Sequence, residues 1–178
     1  MKHSVPEDMM KLIKANEKVL WTGKPEFKPF TLRSIAGTII PLISLIWFAS
    51  FFIYFHIPLI IPTILFIIFF FSILIFVIFS SSLYPLLLWR NLYYAITDRR
   101  VIVRKGVIGI DYDVLNLDYI QQINVDRGVW DKIYGTGTLV IRAVGVTPVR
   151  FLSIKRPFKV YEILNTAVRK YVEDKRKL

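Results

Sequence analysis

Few side chains in this chain are spaced for catalysis. It has no cysteine, and its two histidines, His3 and His56, lie near the start and inside a long uncharged run. Neither is placed to activate a serine or cysteine nucleophile in the charged parts of the chain. "DYD" at 111–113 sets Asp111 and Asp113 two residues apart, with Asp118 further on. Carboxylates so placed could hold a divalent cation, but the glycine and glutamate of a calcium loop are missing at their required spacing. Two aspartates at i and i+2 instead share one solvated face of a strand. "YGTGT" at 134–138 has the glycines of a phosphate loop. A phosphate loop opens a helix whose N-terminus receives the anion, whereas this one leads into "LVIRAV" with no lysine following. Gly135 and Gly137 therefore read as backbone freedom for a tight turn or bulge. The expectation is a non-enzymatic protein with no catalytic residue, metal, cofactor or identified small-molecule substrate.

The remaining candidates are cations. Lys and Arg number 24 against 13 Asp and Glu, a net charge of +11. "YAITDRRVIVRKGVIG", residues 94–109, reads as a β-hairpin whose legs rise ~3.3 Å per residue. Arg90, Arg104 and Lys105 fall at its base, and Arg99 and Arg100 at its tip, up to ~20 Å away. The base residues are candidates for contact with anionic lipid headgroups, worth about 1 kcal/mol each at a charged surface. The tip residues are candidates for a protein partner. Nucleic acid is not expected, because the basic residues are spread over turns, strands and the last helix without a reading motif.

The element that must position this hairpin precedes it. Ser34 to Trp89 contains no Lys, Arg, Asp or Glu, and the whole chain is 54% hydrophobic with mean hydropathy +0.50. One bilayer crossing takes ~20 apolar residues. The run therefore predicts a membrane α-helical hairpin, with helices near 35–55 and 63–84 joined by "HIPLIIP", where Pro58 and Pro62 mark the bend. Lys18, Lys24, Lys28 and Arg33 precede the run, Arg90 and the hairpin cations follow it, and the bend has none. Positive flanks stay on the cytoplasmic side, so the expectation is a multi-pass plasma-membrane protein with both termini cytoplasmic. Trp21, Trp89 and Tyr93 bracket the run as interfacial anchors. Small residues such as Gly37, Ala49, Ser50 and Ser72 would let helices approach, which suits a homo-oligomer. The chain thus divides into an N-terminal segment (1–33), the hairpin (34–89) and a C-terminal domain (90–178). The N-terminal segment either lies on lipid or packs on that domain.

From Leu92 onward the apolar pattern shortens to period two. "LYYAIT", "VIVRKG", "IQQINV", "TLVIRAV" and "VRFLSIK" are rich in β-branched and aromatic residues with turn signals between them. The period then changes. Pro157 suits a first helical turn, and Phe158, Tyr161, Leu164, Val168 and Tyr171 recur every three or four residues. These features predict antiparallel strands closed by one C-terminal amphipathic helix.

In order and spacing, the Tyr94-x-x-Thr97 strand, Arg99 or Arg100 after it, Gly106, Ile120 with Ile123 and Val125, "YGTGT" and the Pro157–Tyr161 helix start resemble the bacterial and archaeal pleckstrin-homology-like domain found beside membrane helices. "EKVLWTGKP" at 17–25 is similar to a motif that precedes the helices in such proteins. The resemblance implies an α+β, mainly-β domain of two near-orthogonal antiparallel sheets with the helix plugging one end. It implies little about activity. The resulting expectation is a binding or scaffolding module at the cytoplasmic leaflet, with a protein partner or copies of itself as ligand and membrane lipid as an auxiliary contact. The alternative is a subunit of an oligomeric membrane export or envelope-stress system whose hairpins form a pore.

Overall fold

The structure, a computed structural model, describes residues 6–14, 16–36, 39–54 and 60–177. In chain order the elements are α1 (Glu7–Met10), β1 (Val19–Gly23), α2 (Phe27–Ala36), α3 (Ile39–Tyr54), α4 (Ile60–Ile78), a π-helical turn (Phe79–Leu83) and α5 (Tyr84–Asn91). There follow β2 (Tyr93–Thr97), β3 (Arg100–Lys105), β4 (Asp111–Asn116), a 3-10 turn (Leu117–Tyr119), β5 (Ile120–Asp126), α6 (Val129–Tyr134), β6 (Thr136–Ala143), β7 (Val149–Lys155) and α7 (Pro157–Arg176). Two compact units result: residues 1–30 with 88–178, and residues 31–87.

The first unit holds two antiparallel sheets, ordered β1-β2-β3-β4 and β5-β6-β7. Alternation explains its core. Tyr94 and Ile96 of β2, Val101 and Val103 of β3 and Leu115 of β4 meet Leu139, Ile141 and Phe151 of the second sheet. Val160, Leu164 and Ala167 of α7 close the same core. Tyr94 anchors it: its ring stacks on Phe151 with centroids 4.5 Å apart, and its hydroxyl accepts the Leu152 N–H at 2.9 Å. Burial pushes that hydroxyl far above the ordinary phenol range, although the Leu152 amide pulls the other way. The opposite face of the first sheet is covered too. Met9, fully buried, packs on Ala95 and Ile102, with Ile13, Tyr93 and Tyr112 around it.

Of the expected helical stripe, Leu164 is buried and Tyr161, Val168 and Tyr171 pack against the core, so only its first residue departs. Phe158 is 58% exposed, and the buried row runs through Pro157, Val160, Leu164 and Ala167. Pro157 sets that phase by lying against β6, where a Cβ on Gly137 would come within 2.8 Å of its ring. β1 pairs with β2 although the second unit separates them in sequence; Gly23 stands opposite Tyr94.

The second unit corrects the membrane expectation. Among the described residues, no helix is long and apolar enough to cross a membrane. The later part of the apolar run is interrupted, among the described residues, by a π-helical turn. Within 35–55 the described residues hold the end of α2 and α3, whose 16 described residues reach about 24 Å. In place of 63–84, α4 stops at Ile78 and gives way to the π-helical turn and α5. Of the expected bend, Pro58 lies outside the described residues, and Pro62 falls in the first turn of α4. The membrane hairpin in the fold expectation and the multi-pass plasma-membrane localisation with cytoplasmic termini therefore fall, and the pore reading falls with them. Both helices do carry exposed apolar side chains, such as Ile46, Trp47, Ile68 and Phe76. The Ser50 and Ser80 hydroxyls donate back to carbonyls of the preceding turn, to Ile46 (2.8 Å) and Val77 (3.2 Å).

Candidate functional site

The β2–β3 turn is built by Thr97. Its hydroxyl accepts the backbone N–H groups of Arg99 (3.2 Å) and Arg100 (2.9 Å) and donates to the Arg100 carbonyl (2.9 Å). Asp98 then ties the turn to the start of β1. Its carboxylate accepts the Lys18 N–H at 3.0 Å, and its own N–H donates to the Lys18 carbonyl at 3.0 Å. The two arginines of the turn consequently part company. Arg100 folds back onto Glu17, its Nε donating to both carboxylate oxygens (2.9 and 3.0 Å), and its Nη2 also meets Oε1. The Glu17 side chain is only 2% exposed. Arg99 stays exposed.

Arg99 stands at the rim of a groove between β1 and α7. One cavity there, of about 500 Å³, is lined by Leu20, Ala167 and Tyr171, by the cations Lys18, Arg99, Lys170 and Lys175, and by the carboxylates Asp98 and Asp174. A second, of about 430 Å³, shares Leu20, Ala167 and Lys170 and adds Ile163 and Thr166, with Glu162 beside them. The groove is therefore bipartite, one half charged and the other mostly apolar. Leu20 opens it because the β1–β2 register slips between Val19 and Trp21, leaving Leu20 as the extra residue of a bulge. Ala167 opens it from the helix side, being the smallest side chain in the buried row. Lys175 is engaged by Asp118 at 3.2 Å. Among the described residues, Lys18, Arg99 and Lys170 form no ion pair.

The cations at the hairpin base have partners of their own. The Arg104 Nε donates to Asp8 at 2.8 Å and its Nη1 to the Asn91 carbonyl at 3.0 Å. Tyr112 donates to the same Asp8 oxygen at 2.5 Å. That hydroxyl, with Arg104, holds Asp8 below the usual carboxylate range against the opposing effect of burial. Lys105 pairs with Asp113 at 2.6 Å. Arg90 is exposed, and its carbonyl accepts the Lys24 ammonium at 3.2 Å. Lys24 lies 3.9 Å from the Trp89 ring centroid and 4.7 Å from that of Tyr93. Burial, then Arg104 and Arg90, draw its pKa below the ordinary lysine value. Trp89 also donates its indole N–H to the Pro25 carbonyl at 2.8 Å, and Trp21 stacks on Phe151 at 5.8 Å. Trp21, Trp89 and Tyr93 are thus all partly buried within the first unit.

The sequence pattern of the bacterial PH domain matches residues 30–168. The chain belongs to the bacterial PH domain family. No curated protein matches it. Among solved structures it is similar to a crystal structure of a DUF1696 family protein with a pleckstrin-homology domain from Shewanella loihica PV-4. The two are 18% identical with a TM-score of 0.34, over 45% of this chain and 69% of that one.

Within this PH-like unit, "YGTGT" is structural. Gly135 takes the left-handed conformation (φ 67°) that ends α6, and Thr136 donates to Asp131 at 2.7 Å. Asp131, 2% exposed, also accepts the Gly128 N–H at 3.2 Å. Asp113 and Asp118 each neutralise a lysine. Among the described residues, no group of His, Cys, Asp or Glu is arranged to hold a metal. Sequence reasoning singled out Arg99 but missed Leu20, Ala167 and Lys170. The signal available for them was an alanine in the helical stripe, where a larger apolar residue would have filled the space.

Proposed function

We propose that this bacterial PH-family chain is a non-enzymatic binding module that engages a polypeptide through the groove between β1 and α7, with Arg99 at its rim. The observation that carries the reading is the pair of adjoining cavities, open beside three cations that form no ion pair. Family membership supports a binding or scaffolding module in general. The groove supports a polypeptide in particular, since a ligand site joins an apolar floor to a few convergent polar groups. Lipid contact at the hairpin base is the auxiliary part of the reading. There Asp8 and Asp113 offset the charges of Arg104 and Lys105, which leaves Arg90 as the exposed cation for a headgroup.

A photo-activated cross-linking residue placed at Arg99, and separately at Arg90, tests this in cells. A discrete polypeptide adduct from position 99 is expected, and one of twice the chain's mass would identify a second copy. Adducts that form only from position 90, or only with lipid, would refute the groove as the principal site.

A further inference from the structure

We infer that the β3–β4 loop, residues 106–110, is a docking tip that sets Ile108 and Ile110 into the surface of an anionic phospholipid bilayer. The inference rests on the auxiliary lipid contact proposed above and adds an apolar insertion to it; the groove beside α7 plays no part. No helix has to cross the bilayer.

The loop is built to project. Ile108 is fully exposed and Ile110 is 46% exposed. Gly106 holds the turn with φ at 131°, and a Cβ there would come within 2.0 Å of the Gly109 carbonyl oxygen. Asn91 pins the base by donating its side-chain N–H to the Gly106 carbonyl at 3.1 Å. The aliphatic tip is therefore held in place before any contact, which lowers the entropy lost on docking.

Shape and charge together say what it meets. The tip is convex, so a protein partner would need a matching pocket, whereas a bilayer supplies an apolar phase without one. An isoleucine standing clear of its own chain gains by leaving water for that phase. Around the base stand Lys24, Arg90, Arg104 and Lys105, with Asp8, Asp111 and Asp113 among them. Asp8 and Asp113 are taken up by Arg104 and Lys105. Among the described residues, Lys24 and Arg90 form no ion pair. Arg104 and Arg90 also act on Lys24 as repelling neighbours. The base thus keeps a small positive excess, which suits anionic headgroups and opposes a second copy of a chain at +11. From Lys105 to Ile108 the chain reaches at most about 10 Å. With the cations at headgroup level, that reach matches the ~5–10 Å depth of interfacial apolar groups.

The chain has no cysteine, so one introduced thiol carries an environment-sensitive fluorophore at a single place. Ile108→Cys is labelled in the full chain, as is Asn116→Cys at the far end of the β3–β4 ladder, opposite Arg100. Each is mixed with phosphatidylcholine–phosphatidylglycerol vesicles, with and without bromine on the acyl chains as a depth quencher. The label at 108 is expected to shift to the blue and be quenched by bromine, while the label at 116 stays in water. Phosphatidylcholine vesicles are expected to produce the shift about fivefold more weakly. A label carried by Ile110→Cys should need at least about tenfold more lipid once Ile108→Asp is added. Melting curves for every variant separate lost docking from lost folding. A label at 108 that stays in water overturns the inference, as does an equal shift at 116. So does a label at 108 already shielded without lipid, which would put protein at the tip. If 108 stays in water while position 90 still cross-links to lipid, the insertion is wrong and the headgroup contact survives. If neither position meets lipid, the lipid part of the reading falls with the insertion, and position 99 alone decides the groove.

Discussion

Replacing Met9 by alanine should release the N-terminal segment and leave the two sheets standing. α1 has only four residues and no side-chain hydrogen bond at its N-cap. Isolated helices shorter than about 12 residues are marginal in water, so α1 depends on what it touches. Its main attachment is Met9, fully buried against Ala95 and Ile102 on the outer face of the first sheet. Truncating a buried methionine to alanine costs about 2–5 kcal/mol. The lower part of that range applies here, because a four-residue helix with no side-chain cap can lift away and admit water. About 2–3 kcal/mol corresponds to roughly 30- to 150-fold more frequent opening. Hydrogen exchange read by mass spectrometry checks this peptide by peptide. Amides at Leu12, Ile13 and Glu17, which bond within the segment, should lose protection, while those of β2, β3 and β6 should keep it. Unchanged protection of the segment would mean that the ion pairs of Asp8 and Glu17 hold it without Met9. An equal loss across both sheets would mean that α1 belongs to the cooperative core.

Gly137→Ala should destabilise the PH-like unit by about 1–3 kcal/mol, because the new methyl would meet the Pro157 ring at 2.8 Å and the Arg127 side chain at 3.1 Å. A melting curve at or above wild type would show that α7 shifts freely. Asp8 gives a pH dependence of known sign. Its folded pKa is depressed, so its contribution is complete above the ordinary value of 3.8 and is lost as pH falls below that through the folded value. The stability difference between wild type and Asp8→Asn should therefore hold at pH ~5 and shrink as pH falls below 3.8; a difference that stays constant on acidification below that value would contradict the pairing. Replacing residues 31–87 by a short glycine-serine linker should leave the first unit folded, because Trp89 and Pro25 already bond across the junction at 2.8 Å. Loss of the Tyr94–Phe151 near-ultraviolet signal in that protein would refute the independence of the two units.

Most of the β-architecture was legible because its strands alternate. "LYYAIT", "VIVRKG", "IQQINV", "TLVIRAV" and "VRFLSIK" correspond to β2, β3, β5, β6 and β7. β4 was not legible, since Asp111, Tyr112 and Asp113 read as a solvated face and the strand is only partly buried. α6 has six residues, too few for a helical period to show. β1 was recognised as a motif but not as a strand of the sheet, because its partner lies beyond the second unit. The bonds from Glu17 to Arg100 and from Asp8 to Arg104 span 83 and 96 residues, and no local pattern encodes them. The uncharged run misled for a related reason. Apolarity averaged over a window does not show where a helix changes its winding, as it does after Ile78. Of the residues lining the candidate groove, the sequence singled out only Arg99, since a groove is a property of surfaces that meet after folding.

The pairing of Gly23 with Tyr94 has a mechanical consequence. The polypeptide leaves the sheet at the end of one strand and returns at the start of its neighbour, and the two passages are stitched together by Trp89 on Pro25 and by Lys24 on Arg90. A tug that spreads those passages loads the stitches first and then peels β1 from β2 one rung at a time, as a zipper opens. Because Leu20 sits on the peeling strand, tension carried along the chain would reach the groove beside α7 before it disturbed β2, β3 and β4 or the second sheet.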